Sequence, residues 1–408
     1  MTSATDARAP GHTTGRPALR RLVGDPAAFA RDVWGRSAVL TRAADDHSDL
    51  FSEAAVDELV STRGLRTPFL RVAKNGTTLP NSAFTKSGGV GAGIGDQADD
   101  SRLTALFADG ATIVLQALHR TWPPLIDFTQ QLAAELGHPV QLNAYVTPPQ
   151  SRGFDDHYDV HDVFVVQISG RKHWRIHEPV HPAPLRDQPW TDRREAVAEA
   201  ATQPAVIDEV LEPGDCLYLP RGYLHAATAL GEVSTHLTFG VHAWTRYALA
   251  EQMLDRARVT LAGEQDVRGS LPLGVAVGRP DEIADDVELV RTHLLQAIES
   301  LSAEDVASVL ASASASTGRP EPVGPLAQLR AAQSLDDDSV VVLRRHLEPR
   351  LEVHDDGVRL VSRAGTVEAP SFDRAVLEQV LGGEPVRADA LGRDLAARLL
   401  AAGVVVAT

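Results

Sequence analysis

The chain has 408 residues, 43% of them hydrophobic and 23% charged, which at roughly 150 residues per domain allows two or three domains with a sizeable core. No run approaches the ~18 apolar residues of a membrane span, and the single cysteine, Cys216, excludes an intramolecular disulfide. The net charge of -16 sets the chain against phosphate backbones and anionic lipid and favours a basic partner.

Residues 1–16 are polar, carry no apolar secretory stretch and are expected to be disordered, with the cytoplasm as the default address. Asp25 followed by Pro26 predicts a helix over Asp25–Trp34, because an N-cap carboxylate and a proline at the first helical position suit a helix start. Strands are expected at Ser37–Thr41 and Thr67–Ala73, and a glycine-rich loop at Asn81–Asp100, whose glycines lack phosphate-loop spacing.

From Thr112 the pattern becomes short strands: Thr112–Leu118, Val140–Val146, Val163–Ser169, Lys172–His177, Val206–Leu211, Asp215–Leu219, Tyr223–Ala229 and Ser234–His242. One helix, Pro124–Leu136, interrupts them and ends at Gly137. About eight such strands in one stretch predict a double-sheet jelly roll. Helical spacing follows over Tyr247–Ala262 and Asp281–Leu301, then a Gly/Pro linker at Gly318–Gly324. The tail reads as helical segments near Ala327, at Asp336–His346, Phe372–Leu381 and Arg387–Ala402, with strands Leu351–Val353, Val358–Ser362 and Val404–Val406, an order like a winged helix. The boundaries are therefore 1–16, 17–245 (catalytic barrel), 246–318 (helical module) and 325–408 (winged-helix-like).

Chemistry concentrates between Phe154 and Trp174. Residues two apart on a strand share a face, so His157 and Asp159 can address one ion. Further on, Gly214-Asp215 turns into a strand that Pro220 ends, and His225 opens the next strand. Two imidazoles and one carboxylate form a facial set that leaves three positions open and favours non-haem Fe(II), whereas closed zinc sites usually need thiolates that one cysteine cannot supply. His161 also lies on the His157 face and competes for the role; Asp159 is preferred because a carboxylate completes an iron triad. His173, His177, His236 and His242 read as ordinary strand histidines. Of 39 basic residues only Lys74, Lys86 and Lys172 are lysines. Lys172 re-enters the barrel after Ser169-Gly170, where an ammonium suits a small dicarboxylate and the plain alternative is a solvated turn lysine.

These residues resemble the ribosomal-oxygenase branch of the JmjC hydroxylases, a cupin-type family. The resemblance is carried by Gln141-Leu-Asn143-Ala-Tyr145, His157-Tyr158-Asp159, Ser169–Trp174, Gly214–His225 and Ser234–Phe239. It implies a mainly β, double-stranded β-helix catalytic domain followed by an α-helical dimerisation module and a C-terminal winged-helix-like α+β domain. It further implies Fe(II) held by His157, Asp159 and His225, with Lys172 on the far carboxylate of the cosubstrate 2-oxoglutarate and Asn143 and Tyr145 lining the pocket. The expected reaction is hydroxylation of an arginine or histidine of a protein, with a basic ribosomal protein as substrate, a homodimeric enzyme and no direct DNA or membrane binding. The chain departs from the histidine-hydroxylating members at Gly240, where they carry a serine. A small-molecule 2-oxoglutarate hydroxylase and a non-catalytic metal-binding cupin regulator are the rival readings.

Overall fold

The computed structural model describes residues 17–354, 357–370 and 373–408; the stretch 1–16, expected to be disordered, and Phe372 lie outside the described residues. Residues up to Ala243 together with Pro320–Thr408 form one compact unit, and Trp244–Arg319 a second.

In the first unit α1 (Ala18–Val23) precedes α2 (Pro26–Asp32), whose N-cap Asp25 accepts from the Ala27 and Ala28 N–H groups as its sequence predicts. Next come β1 (Val39–Thr41), α3 (Glu53–Ser61), β2 (Leu70–Lys74), β3 (Thr77–Thr78), β4 (Thr85–Lys86), β5 (Gln97–Ala98) and α4 (Asp100–Ala108). Helices α3 and α4 went unread in the sequence, although Ser52 and Asp99 cap them. The loop expected at Asn81–Asp100 holds the short β4–β5 pair. Then follow β6 (Thr112–Leu115), α5 (Leu118–Thr121), α6 (Pro123–Leu136), β7 (Val140–Thr147), β8 (Asp162–His177), α7 (Arg194–Ala200), β9 (Ile207–Leu211), β10 (Cys216–Leu219) and β11 (Leu224–Val241). Helix α6 ends at Gly137 in the left-handed region, φ 70°.

A nine-stranded sheet runs in the order β1-β10-β8-β11-β7-β6-β2-β3, with β9 added to β8. The expected jelly-roll barrel is built differently in detail, because two predicted pairs of strands are each one long strand. Val163–Ser169 and Lys172–His177 merge into β8; Tyr223–Ala229 and Ser234–His242 merge into β11. The two pair along their lengths, with register shifts between Leu230 and His236. Gly170 is the device that lets β8 continue: its φ is +63°, and a Cβ there would meet the Val233 carbonyl oxygen at 2.0 Å. What reads as a turn is thus a kink inside a strand. Gly170→Ala is expected to cost about 1–3 kcal/mol of stability, read as a lower urea or thermal midpoint; an unchanged midpoint would contradict this account.

One face of the sheet is covered by helices. Leu70, Val72, Ile113, Leu115, Ala144, Val146, Leu237 and Phe239 cluster with Leu125, Phe128 and Leu132 of α6. Residues of opposite parity therefore face the barrel interior. Gln167, His236, Tyr145, Val114 and Arg71 are successive cross-strand partners from β8 to β2, so they form one rung on that inner face.

The tail contains α11 (Pro325–Gln333), β12 (Val340–Leu343), β13 (Arg350–His354), β14 (Gly357–Ser362), β15 (Gly365–Ala369), α12 (Arg374–Leu381), β16 (Val386–Arg387), α13 (Ala388–Leu391), α14 (Arg393–Ala401) and β17 (Val405–Ala407). The helix expected at Asp336–His346 is instead a turn and strand β12, because the three β-branched residues Val340, Val341 and Val342 favour a strand, which pairs on both sides, with β16 and β17. The helix expected over Arg387–Ala402 breaks at Gly392, φ 76°. Asp127 of α6 binds the tail through Arg345 at 2.9 Å and His346 at 3.0 Å.

The second unit holds α8 (Arg246–Leu261), α9 (Pro280–Glu299) and α10 (Ala303–Thr317), the last opened by a Ser302/Asp305 capping box that the sequence reading passed over. Its interior is small: Ala257 and Ala297 are buried, while Leu254, Val259 and Leu295 are more than half exposed. Among the described residues no helix is long and apolar enough to cross a membrane.

Candidate functional site

His157 and Asp159 do not lie on a strand, as the parity argument supposed; they sit in the irregular segment leading into β8, His157 as an isolated bridge residue. Their place is set by backbone pairing instead. The His157 N–H donates to the His225 carbonyl at 3.3 Å and the His225 N–H to the His157 carbonyl at 2.8 Å, an isolated bridge onto the start of β11. The Gly222 N–H donates to the Asp159 carbonyl at 3.0 Å, pinning the other end. Residues about seventy apart in sequence are thereby held side by side, with the two imidazole rings 4.4 Å apart.

His157, Asp159 and His225 each offer one ligand atom, and these lie within 4.8 Å of one another, the one such group among the described residues. Both imidazoles are oriented by backbone carbonyls, His157 Nδ1 to Asp155 O at 2.7 Å and His225 Nδ1 to Tyr223 O at 3.1 Å. A carbonyl only accepts, so each Nδ1 carries the proton and each Nε2 keeps its lone pair for a ligand. His225 Nε2 stands 3.8 Å from Asp159 Oδ2, too far for a hydrogen bond. Burial, then the His157 charge, pushes the His225 imidazole down to about 4. Burial works to raise the Asp159 carboxyl, but His161, His225, His157 and Arg71 together hold it below its usual value. A neutral His225 imidazole beside an ionised Asp159 carboxylate suits metal binding.

His161, the competing ligand, lies near Asp159 but is not one of the three clustered donors. Its ring stacks on His242 at 5.2 Å and lies near Gln141 Nε2, 3.4 Å away. It covers Gly240 so closely that a Cβ there would meet His161 Cδ2 at 2.5 Å.

Lys172 is 4% exposed, so it is no solvated turn residue. Its Nζ donates to Thr147 Oγ1 at 3.1 Å and lies 5.9 Å from the centre of the Trp174 ring. Burial lowers its pKa from 10.5 to about 7. His236, set aside as an ordinary strand histidine, is buried against Tyr145 in a parallel stack at 4.9 Å and edge-on to Trp174 at 5.3 Å. Trp174 Nε1 and His236 Nδ1 are buried without hydrogen-bond partners. Unmet polar atoms next to a buried amine fit a small oxygen-rich ligand. Asn143 is less free: its Oδ1 accepts from the Ala117 N–H at 3.1 Å and so braces the corner between β6 and α5.

The Gly214–His225 motif divides into frame and site. Asp215 caps its own turn, accepting from the Ala43 N–H at 2.8 Å and the Glu212 N–H at 3.0 Å and pairing with Arg42 at 2.7 Å. Tyr218 donates to the buried Asp162 at 3.0 Å and accepts from the Gly35 N–H at 2.9 Å. Only His225 reaches the donor group. Sequence reasoning missed Arg71, whose Nη2 donates to the Tyr145 hydroxyl at 3.3 Å while its guanidinium lies 5.1 Å from the Phe154 ring. Its only signal was an arginine inside the strand predicted at Thr67–Ala73.

Residues 122–249 match the family model for the JmjC domain. Over 340 residues the chain is 28% identical to ribosomal oxygenase 1 of Rattus norvegicus, covering 82% of this chain and 53% of that protein. It is 44% identical over 110 residues to the bifunctional lysine-specific demethylase and histidyl-hydroxylase NO66 of Drosophila erecta, covering 27% of this chain and 16% of the relative. The chain thus spans about half or less of the length of these curated relatives. The Escherichia coli ribosomal oxygenase YcfD shares its fold, with a TM-score of 0.54 at 18% identity over 95% of this chain and 99% of that one. A further structure of YcfD was solved in complex with cobalt and 2-oxoglutarate, TM-score 0.52 at 18% identity over the same shares of the two chains.

Proposed function

We propose, from the match of residues 122–249 to the JmjC domain model, that this chain is an Fe(II)- and 2-oxoglutarate-dependent oxygenase that hydroxylates a protein. The observation that carries this is the donor set: two Nε2 atoms and one carboxylate brought together beside a buried amine with unmet polar neighbours. His157, Asp159 and His225 would hold Fe(II), leaving the rest of its coordination sphere open. Lys172, with Thr147, would take the far carboxylate of 2-oxoglutarate, and the YcfD complex supports this choice of cosubstrate. Bound there, and with O2 as oxidant, the pair would supply oxidative decarboxylation of 2-oxoglutarate to succinate and CO2, one atom of O2 entering succinate and the other a substrate C–H bond. The protein orients the imidazoles through backbone carbonyls, holds Asp159 ionised and, by burial, keeps water from Lys172. Tyr145 and Asn143 lie on the substrate side.

The net charge of -16 supports a basic polypeptide, and the relatives' names support a ribosomal protein, as substrate. Purified chain should convert 2-oxoglutarate to succinate only with Fe(II) and oxygen. Intact masses of ribosomal proteins from parent and deletion cells should differ by one oxygen on one protein. Turnover confined to small metabolites would refute the protein-substrate reading. The exposed apolar residues of α8 and α9, Leu254, Val259 and Leu295 among them, support a homodimer through the helical module at 246–318. Sedimentation at micromolar concentration should give twice the chain mass, and a clean monomer would exclude this. The helices and small sheets of 325–408 support a winged-helix-like module, and the lone buried cysteine supports a cytoplasmic protein.

A further inference from the structure

The inner rung of the sheet ends in a cation that the proposed reaction does not use. Arg71 on β2 stands opposite Val114, which stands opposite Tyr145, which stands opposite His236. The Lys172 amine donates to Thr147 and lies by the Trp174 ring, whereas Arg71 donates to the Tyr145 hydroxyl and covers Phe154, so the two cations have different partners. Lys172 is therefore placed for the cosubstrate and Arg71 for a different molecule. Arg71 is on the loop side of the donor group: its guanidinium covers Phe154, whose ring is 5.8 Å from that of His157.

Arg71 forms no ion pair with any described residue within 4.0 Å, and its Nε is buried without a partner. A guanidinium is always charged and only donates. A target side chain delivered to the donor group thus meets a fixed positive charge with a donor to spare. His, Asn and Gln side chains carry an acceptor for it; Arg and Lys carry none and add a like charge.

We infer that Arg71 is a specificity-determining residue, selecting a target side chain that carries a hydrogen-bond acceptor over one that is cationic. This rests on the protein-hydroxylase reading and sharpens it. The overall basic character of the substrate is unaffected, since long-range attraction to a chain of charge -16 and local discrimination beside Tyr145 and Phe154 act at different distances.

The test is affinity selection of peptide pools with His, Asn, Gln, Arg or Lys at a fixed centre and mixed flanks, on the full chain loaded with Mn(II) and 2-oxoglutarate. The His, Asn or Gln pools should be enriched over Arg and Lys by at least about tenfold. Arg71→Gln should erase that bias, and Arg71→Lys, which restores the charge, should recover it. A bias that persists in Arg71→Gln, enrichment of the cationic pools by the parent chain, or no enrichment at all would each overturn the inference. A packing role alone predicts a lower melting temperature in Arg71→Gln with the bias intact. Adding Fe(II) and oxygen and weighing the peptides tests the parent reading separately. Bias without gain of oxygen defeats the hydroxylase reading and leaves the selectivity standing; gain of oxygen without bias defeats the selectivity alone.

Discussion

Replacing His157, Asp159 or His225 by alanine is expected to abolish succinate formation and to weaken metal binding by at least about a hundredfold, the upper range lost when only an outer hydrogen-bond partner of a ligand is removed. The three offer their donors to one point, and no other such group occurs among the described residues. His161→Ala should leave metal binding in place, since that ring is engaged with His242 and Gln141. Calorimetric titration with Mn(II) and a succinate assay read both effects. Full activity in His225→Ala, or loss of metal from His161→Ala with Asp159→Ala unaffected, would sink the ligand assignment.

The second large effect concerns Lys172, whose charge is expected to govern cosubstrate binding and whose burial makes that binding pH-dependent. The buried amine has its pKa lowered from 10.5 to about 7, so between these values the unfolded chain binds a proton that the folded chain does not. Stability without ligand should therefore rise with pH across that interval, and be insensitive to this group below about 7. A carboxylate pairs with the protonated amine, so above about pH 7 binding must draw a proton from solution and apparent 2-oxoglutarate affinity should fall, by up to about tenfold per pH unit. Lys172→Met should raise the 2-oxoglutarate requirement about ten- to hundredfold, the worth of a charge-assisted hydrogen bond, and remove this pH dependence while leaving metal affinity near normal. Equal cosubstrate kinetics in Lys172→Met would return the lysine to a packing role.

Short-range chemistry by itself determined much of this protein. Asp25-Pro26 and Gly137 mark helix ends because capping and left-handed backbone are properties of single residues. Short strand-like runs separated by turn residues announced the strands, and the rarity of lysine drew attention to Lys172. The two imidazoles and one carboxylate were legible as donors because ligand chemistry belongs to residue type. Tertiary structure decided the rest. Whether Gly170 ends a strand or kinks it depends on the Val233 carbonyl more than sixty residues away, so β8 and β11 read as four strands. Parity on a strand put His157 and Asp159 together for the wrong reason; the bridge to His225 and the Gly222–Asp159 hydrogen bond do so in fact, and such pairing leaves no mark in local sequence. Asp159 and His161 could be separated only once His161 was seen over Gly240. Arg71 enters the site through register alone, four strands from Gln167 along one rung, because side-chain direction in a sheet is fixed by pairing with distant strands.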